Sequence, residues 1–305
     1  MNVVDVNSWK EILDRMVIIG GSARSGTTIM GKLISSLKNV EYFIEPPMLS
    51  SILLKSDMLS NNSLKELLQF YFIDDFLLDS LAGRRINLNK HDDSYILRVK
   101  TLKEIQKRQE KSYRRVELEK ISKEVTFCFK DHRVSFFLDK INALFPCNKL
   151  ILMHRRPNDI ISSLVEKKWF SDQYLNSEFA HQVHAVKIIQ GIKIPFWIES
   201  QYEDFWINAK EVDRCAYYCK RIFEEMFHYS GGAIVVSYEQ FILNPKDLFY
   251  ELVEKLDLIV GEKTNSILKE VKCRNKKTVD YMDSVPESIK RELNYIDNIL
   301  IERSV

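Results

Sequence analysis

The sequence predicts an α/β fold, a doubly wound and mostly parallel sheet with a P-loop-like phosphate loop and inserted helices. Three observations lead to this prediction: short apolar runs of strand length, helical patterns that follow most of these runs, and a glycine-containing loop after the first run. Strands that alternate with helices favour a parallel sheet, because each helical crossover returns the chain to start the next strand in the same direction.

The apolar runs locate the strands. They are predicted at Met16–Gly20, Glu41–Ile44, Val125–Phe129, Lys149–Met153 and Ala233–Ser237. The helical patterns that follow are predicted at Thr27–Leu37, Val134–Phe145, Asn158–Lys168 and Pro245–Leu256. We expect two further stretches, roughly 47–120 and 176–229, to be mainly helical insertions into a single domain that spans residues 1–305. The charged segment from Lys263 onward is also expected to be helical.

The charge of the chain is nearly balanced. Its 45 Lys and Arg residues against 43 Asp and Glu residues give a formal net charge of +2. Such a balance excludes a strong general attraction to nucleic acid or to an anionic membrane surface. Any site that binds an anion must therefore be local.

Compartment and metal content are predicted from what the sequence lacks. Charged residues interrupt every apolar run well before the ~18 residues of a membrane span, and the N-terminus lacks a secretory pattern. The five cysteines form no CxxC pair, and Cys215 and Cys219, one helical turn apart, have the spacing of two small buried side chains. We expect a cytoplasmic protein with no membrane span and no metal site.

A loop connects the first predicted strand to the helix after it. Its sequence, Gly21–Thr28, matches the pattern GxxxxGx[ST]. In such a loop the backbone N–H groups and the positive end of the helix dipole face one point, where they bind a phosphate. The residues expected to bind it are Gly21, Arg24, Ser25, Gly26, Thr27 and Thr28.

The same loop departs from the Walker A sequence of nucleoside triphosphatases. Walker A has Lys directly after the second glycine, where the side chain reaches the β- and γ-phosphates. This chain has Thr27 at that position and carries its cation earlier, at Arg24. The loop is therefore predicted to bind a phosphate without triphosphate–Mg²⁺ chemistry.

A second anion site is predicted where the strand at Lys149–Met153 ends. Arg155 follows that strand end, which is where open α/β sheets bind ligands. Pro157 suits the first turn of a helix, and Ser163 lies near the second turn. Arg155 and Ser163 could together hold one phosphate, with the guanidinium giving charge-assisted hydrogen bonds.

In these motifs the chain resembles the superfamily of sulfotransferases that use 3′-phosphoadenosine 5′-phosphosulfate (PAPS). Gly21–Thr28 resembles its 5′-phosphosulfate loop, Arg155–Ser163 its 3′-phosphate motif R-x-P-x-D-x-x-x-S, and Tyr238 begins a segment similar to its Y-E-x-x-x-x-x-N-P. The resemblance implies a P-loop NTPase-like sulfotransferase fold, PAPS as the donor, and contact between Tyr238 and the nucleotide.

Two branches of the superfamily are the most similar. The distances from the loop to Glu45 and from Lys130 to Arg155 resemble those of tyrosylprotein sulfotransferases, and Ile44-Glu45-Pro46 resembles the F-E-P of carbohydrate 6-O-sulfotransferases. The resemblance therefore implies an acceptor hydroxyl, with a sugar, a tyrosine, a lipid headgroup and a small metabolite all open. It does not define the oligomeric state.

Sulfuryl transfer needs positioning, cations and one base. We assign Arg24 to the leaving oxygen and, by resemblance, Lys130 to the transferring sulfuryl group. Glu45 is placed first as the base, at the position of the carboxylate base in both branches. His132 is the rival, because Lys130-Asp131-His132 resembles the K-T-H of cytosolic sulfotransferases, whose His is the base.

Two alternative functions and the roles of two segments remain open from the sequence. A P-loop kinase shares the fold and the loop but needs Mg²⁺, and a non-catalytic module would bind the nucleotide without transfer. The aromatic segment from Ile194 to Trp206 could stack on an acceptor or pack in the core. Lys167 or Lys168 could also reach the 3′-phosphate from the helix that carries Ser163.

Overall fold

The computed structural model describes residues 9–180, 184, 186–271 and 279–305. A five-stranded parallel sheet with the order β2-β3-β1-β4-β7 forms its centre, and a separate antiparallel hairpin pairs β5 with β6. The strands are β1 Val17–Gly21, β2 Val40–Ile44, β3 Thr126–Lys130, β4 Lys149–His154, β5 Val186–Ile189, β6 Ile192–Pro195 and β7 Ile234–Ser237. The predicted α/β fold with a doubly wound parallel sheet is confirmed.

Helices cover both faces of this sheet. They are α1 Lys10–Asp14, α2 Thr27–Ser35, α3 Leu49–Leu54, α4 Asn61–Gln69, α5 Asp79–Leu81, α6 Leu102–Gln109, α7 Arg115–Ser122, α8 Leu138–Leu144, α9 Pro157–Glu166, α10 Asp172–Leu175, α11 Glu203–Asn208, α12 Glu211–Tyr229, α13 Tyr238–Leu243, α14 Pro245–Lys255, α15 Thr264–Leu268 and α16 Glu287–Glu302. A π-helical segment, Phe70–Leu78, joins α4 to α5. Short 3₁₀ turns occupy Ser56–Met58, Ile96–Arg98, His132–Phe137, Ser200–Tyr202 and Met282–Ser284.

The predicted strands are all present, and two helical predictions differ from the structure. Val134–Phe145 is not one helix, because the Asp131 side chain accepts from the Arg133 backbone N–H and starts a 3₁₀ turn before α8. The insertion at 176–229 contains the β5–β6 hairpin as well as helices. Gln190 and Gly191 turn this hairpin with φ of 50° and 80°, between segments rich in β-branched residues.

The central sheet is buried on both faces, which explains its continuous apolar strands. Ile18 and Phe129 point into the core on the side of α12, whereas Val17 and Ile19 point into the core on the side of α2. The cysteines predicted to be small buried side chains, Cys215 and Cys219, are buried on α12. None of the helices described is long and apolar enough to span a membrane.

The C-terminal helix α16 packs against the long helix α12 and also contacts the end of a strand of the sheet. His154, the last residue of β4, is fully buried, and its Nε2 lies 2.7 Å from Oδ1 of Asp297 on α16. The other ring nitrogen of His154 has no hydrogen-bond partner among the described residues. The pair therefore stabilises the strand end that leads directly into Arg155.

Replacing Asp297 by Ala should lower the free energy of unfolding by about 1–3 kcal/mol, because the buried His154 then loses its partner. Denaturant unfolding followed by circular dichroism measures the change. Asp283→Ala is the control, since that side chain is 97% exposed beside Lys290, and its change should stay within about 0.5 kcal/mol. Equal losses in the two variants would contradict a stabilising role for the pair.

Candidate functional site

The carboxyl ends of all five parallel strands meet at one edge of the sheet, and the predicted site residues collect there. The loop Gly21–Thr28 follows β1, and Glu45 follows β2. Lys130 ends β3, Arg155 follows β4, and Tyr238 follows β7. Residues that are far apart in the sequence are therefore neighbours because the strands run in the same direction.

The loop after β1 has a conformation that favours glycine at two points. Gly21 and Gly26 have φ of 118° and 95°, and Arg24 between them has φ of 71°. A Cβ on Gly21 would lie 2.3 Å from the carbonyl oxygen of Met153, and one on Gly26 would lie 2.5 Å from the Tyr238 ring. The backbone thus closes tightly and enters α2, whose first N–H groups lack helical partners.

Two side chains from outside the loop bind its backbone. The Ser135 hydroxyl accepts from the Gly21 N–H at 2.9 Å, and the Tyr218 hydroxyl accepts from the Ala23 N–H at 2.9 Å. Both side chains are buried. Neither residue could be predicted, because Ser135 lies in the turn after β3 and Tyr218 lies on α12, and no local pattern links either of them to the loop.

The two predicted anion sites form one continuous cluster. Nε of Arg24 donates to the Ser163 hydroxyl at 3.0 Å, and Nη1 of Arg155 donates to the Arg24 carbonyl at 2.9 Å. The Arg155 guanidinium lies 4.8 Å from the centroid of the Tyr238 ring, within cation–π range. Its Nε is buried and has no partner among the described residues. The structure thus brings all four residues together.

Lys130, Glu45 and His132 form a second cluster on the β2 side of the loop. Lys130 is buried and forms an ion pair with Glu45, and His132 Nδ1 lies 3.8 Å from the same Glu45 oxygen. His132 and then Lys130 hold the pKa of Glu45 well below its usual range, against the opposing effect of burial. Glu45 is therefore a carboxylate.

Backbone geometry also distinguishes this cluster. Glu45 has φ of 45°, in the left-handed region that few residues other than glycine adopt, and its N–H donates to the Lys130 carbonyl at 2.7 Å. The fully buried Asp131 pairs with Arg133 at 2.8 Å, which fixes the turn that carries His132. A left-handed backbone at a residue other than glycine is common at functional sites.

The aromatic segment from Ile194 to Trp206 packs in the core. Trp197 stacks on Phe136 with ring centroids 5.1 Å apart and also contacts Trp206 edge-on at 5.2 Å. Trp197 and Trp206 are both buried. The interpretation as an acceptor-stacking surface is therefore wrong for these tryptophans, whose faces are used in packing. Lys167 and Lys168 are exposed beyond the end of α9.

Comparison with solved structures places this fold among sulfotransferases. The sulfotransferase domain from the curacin biosynthetic pathway has a TM-score of 0.51 at 11% identity, covering 94% of this chain and 97% of that one. The sulfotransferase domain from the Synechococcus PCC 7002 olefin synthase has a TM-score of 0.48 at 12% identity, with 94% of each chain covered. A sulfotransferase from Mycobacterium avium has a TM-score of 0.47 at 13% identity, covering 96% of this chain and 80% of that one.

Sequence comparison gives the family directly. No curated protein matches the chain significantly. The family model described as "Sulfotransferase family" matches residues 16–262, which include the loop, Glu45, Lys130, Arg155 and Tyr238. Because this match covers most of the chain and every strand of the central sheet, the protein belongs to the sulfotransferase family.

Proposed function

We propose that the protein transfers a sulfuryl group from PAPS to an acceptor hydroxyl by in-line displacement. The observation that carries the proposal is the continuous cluster of Arg24, Arg155 and Ser163 beside the loop, next to the ion pair of Lys130 and Glu45. The donor has phosphate groups at both ends of one adenosine, so that its binding needs two cationic sites close together. A sugar, a tyrosyl group and a small molecule remain candidate acceptors.

The residues present fit this donor. The tight loop and the N-terminus of α2 offer backbone N–H groups to the 5′-phosphosulfate. Arg155 and Ser163 hold the 3′-phosphate, and donor binding replaces the hydrogen bond from Arg24 to Ser163 with bonds to the anion. Tyr238, which packs against Gly26 and under Arg155, contacts the nucleotide.

The reaction forms one bond to sulfur and breaks another. The acceptor oxygen bonds to sulfur, and the bond from sulfur to the bridging oxygen of PAPS breaks with its electron pair leaving on the phosphoadenosine phosphate. The acceptor proton passes to a base. Arg24 and the loop stabilise the leaving oxygen, and Lys130 stabilises the sulfuryl oxygens, because fixed charges at developing charge lower the barrier.

The ion pair between Lys130 and Glu45 links donor binding to base strength. With Lys130 beside it, Glu45 is a weak base, since its pKa is held low. When Lys130 turns its ammonium toward the sulfuryl group, Glu45 loses one of the interactions that lower its pKa and accepts a proton more readily. This sequence of events keeps Glu45 as the first candidate for the base and His132 as the second.

The kinase alternative is less well supported. Thr27 occupies the position where a Walker A lysine would reach the β- and γ-phosphates, and the chain belongs to the sulfotransferase family. A nucleotide-binding module without catalysis would have the loop and Arg155 but would not need Lys130 or Glu45. Loss of transfer without loss of nucleotide binding in Lys130 and Glu45 variants separates that module from an enzyme.

The function is tested with labelled PAPS and a panel of hydroxyl acceptors in EDTA. We expect transfer under these conditions, and we expect Arg155→Gln to weaken binding of the product 3′-phosphoadenosine 5′-phosphate by about 10- to 100-fold, the effect of a charge-assisted hydrogen bond worth about 1.5–3 kcal/mol. Calorimetry measures the affinity, and label transfer measures turnover.

Arg156→Gln is the matched control for that experiment. Arg156 is the next residue and is exposed, so its replacement should change the affinity by less than about threefold. Equal weakening in both variants would contradict a specific role for Arg155. Turnover that requires ATP and Mg²⁺ in place of PAPS would overturn the proposed function.

The base is identified by separate Glu45→Gln and His132→Gln variants. Removal of the true base should lower kcat by roughly 10²–10⁴-fold, whereas removal of the other residue should have a much smaller effect.

The dependence of activity on pH tests the identity of the base independently of these variants. In the free enzyme the pKa of Glu45 is held well below its usual range, so the carboxylate stays ionised as the pH falls and kcat/KM should keep its plateau down to about pH 5. An acid limb of kcat/KM well above the ordinary carboxyl range would contradict Glu45 as the base.

Tyr218→Phe tests whether the loop depends on its external hydrogen bond. We expect the affinity for 3′-phosphoadenosine 5′-phosphate to fall by about tenfold, because the loop N–H of Ala23 loses its acceptor. Tyr217→Phe is the control, since that neighbour is equally buried and its hydroxyl has no partner among the described residues. A similar loss of affinity in both variants would show that helix packing, not the loop contact, is responsible.

A further inference from the structure

A cavity of about 480 Å³ lies along the exposed edge of the sheet, beside β2. Residues Glu41 to Ile44 form one wall, α2 contributes Lys32 and Ser35, and the irregular segment around residues 84–99 covers the opening. A volume of several hundred Å³ is typical of pockets for small organic ligands. The proposed donor site does not use this cavity.

The wall of the cavity carries more positive than negative charge. Its cations are Lys32, Arg84, Arg85, Lys100 and Arg108, and its carboxylates are Glu41 and Asp93. The carboxylates neutralise two cations, since Arg108 pairs with Glu41 and Lys32 pairs with Asp93, each at 2.6 Å. Arg84 and Arg85 pair with Asp79 and Asp75, which lie outside the cavity wall, so the wall itself keeps a positive excess that favours an anionic ligand.

Two of the other cations, Lys100 and Arg85, lie near opposite ends of β2. Lys100 is buried and donates to the carbonyls of Val40 and Leu37, near the start of β2. Arg85 lies near the other end, and its partner Asp75, at 2.8 Å, is outside the cavity wall. Arg84 is the more exposed of the two arginines, at 67% against 36%, but Arg85 is the one that lies over aromatic rings of the wall.

Arg85 also lies over an aromatic surface. Phe43 and Phe76 stack with ring centroids 3.8 Å apart and 4° between their planes, and the Arg85 guanidinium lies 5.8 Å from each ring. Both rings are largely buried, at 8% and 6% exposed, and they line the cavity with the small area that remains accessible. An apolar lining next to a guanidinium suits a ligand that has a ring and an acidic group.

The cavity follows β2 toward the proposed catalytic carboxylate. Its wall includes Ile44, and the next residue is Glu45. Phe43, beneath Arg85, precedes Glu45 by two residues. Tyr42, another wall residue, has a buried hydroxyl without a hydrogen-bond partner among the described residues. Burial raises the pKa of the Tyr42 hydroxyl, and nearby groups that include the Glu45 and Asp93 carboxylates add to this effect.

We propose that this cavity is the acceptor pocket and that the acceptor is an organic anion whose acidic group and reacting hydroxyl lie at opposite ends of a ring. The acidic group binds Arg85, the ring lies against Phe43 and Phe76, and the hydroxyl reaches Glu45. This inference rests on the proposed function, because it assumes that the reaction is sulfuryl transfer. It also predicts that the cavity binds acids more tightly than neutral analogues, which can be measured without the reaction.

The test uses two matched pairs of probes that differ only in charge. They are 4-hydroxyphenylacetate with its neutral amide, and methyl β-glucuronide with methyl β-glucoside. Calorimetry without any nucleotide should show that the acid of at least one pair binds about tenfold more tightly than its neutral partner. Arg85→Gln should remove this preference by weakening only the acid, whereas Arg85→Lys, which keeps the charge, should retain most of it.

Arg291→Gln is the control, because Arg291 is a 78% exposed arginine on α16 paired with Glu287, and it should leave the preference unchanged. Circular dichroism checks that each variant is folded. The inference is overturned if neither acid binds better than its neutral partner, or if the preference persists in Arg85→Gln. Acid binding without sulfuryl transfer from PAPS would instead overturn the proposed function and leave the cavity as an anion site. Transfer without acid preference would overturn only the acceptor class.

Discussion

The hydrogen bond from Arg155 to the carbonyl of Arg24 is the contact on which the candidate site depends. It joins the end of β4 to the middle of the loop after β1, so that two anion-binding segments become one surface. Because β1 and β4 are adjacent and parallel, with Gly21 paired to Met153, the two segments leave the sheet side by side. The guanidinium therefore both holds the loop and remains available to an anion.

Tight backbone packing maintains that arrangement. The loop has no room for a Cβ at Gly21 or Gly26, since the Met153 carbonyl and the Tyr238 ring already occupy those positions. Ser135 and Tyr218 bind loop N–H groups from the other side. A preorganised loop loses little conformational entropy when an anion binds, which is the usual advantage of fixed backbone donors.

Local sequence patterns predicted the strands, the loop and the second cation site, because each is encoded by residues within one strand–turn–helix unit. The apolar run before Gly21 and the Arg155 that follows β4 are of this kind. Contacts that join distant elements could not be predicted. Tyr218 is indistinguishable from Tyr217 in the helical pattern, yet one hydroxyl binds the loop and the other has no described partner. The hairpin was missed because Gln190-Gly191 is a less common turn pair than Asn-Gly.

The proposed donor site and the proposed acceptor pocket draw their residues from different parts of the chain. Every residue assigned to the donor or to proton transfer ends a strand of the sheet, follows one, or lies within the turn or helix after it, so the sheet sets their distances. Arg84 and Arg85 of the proposed acceptor pocket instead come from the segment between α5 and α6. Segments of this kind accept sequence change more readily than buried strands do. Phe43 and Glu45 connect the two parts, because the same stretch of chain supplies the floor of the pocket and the candidate base.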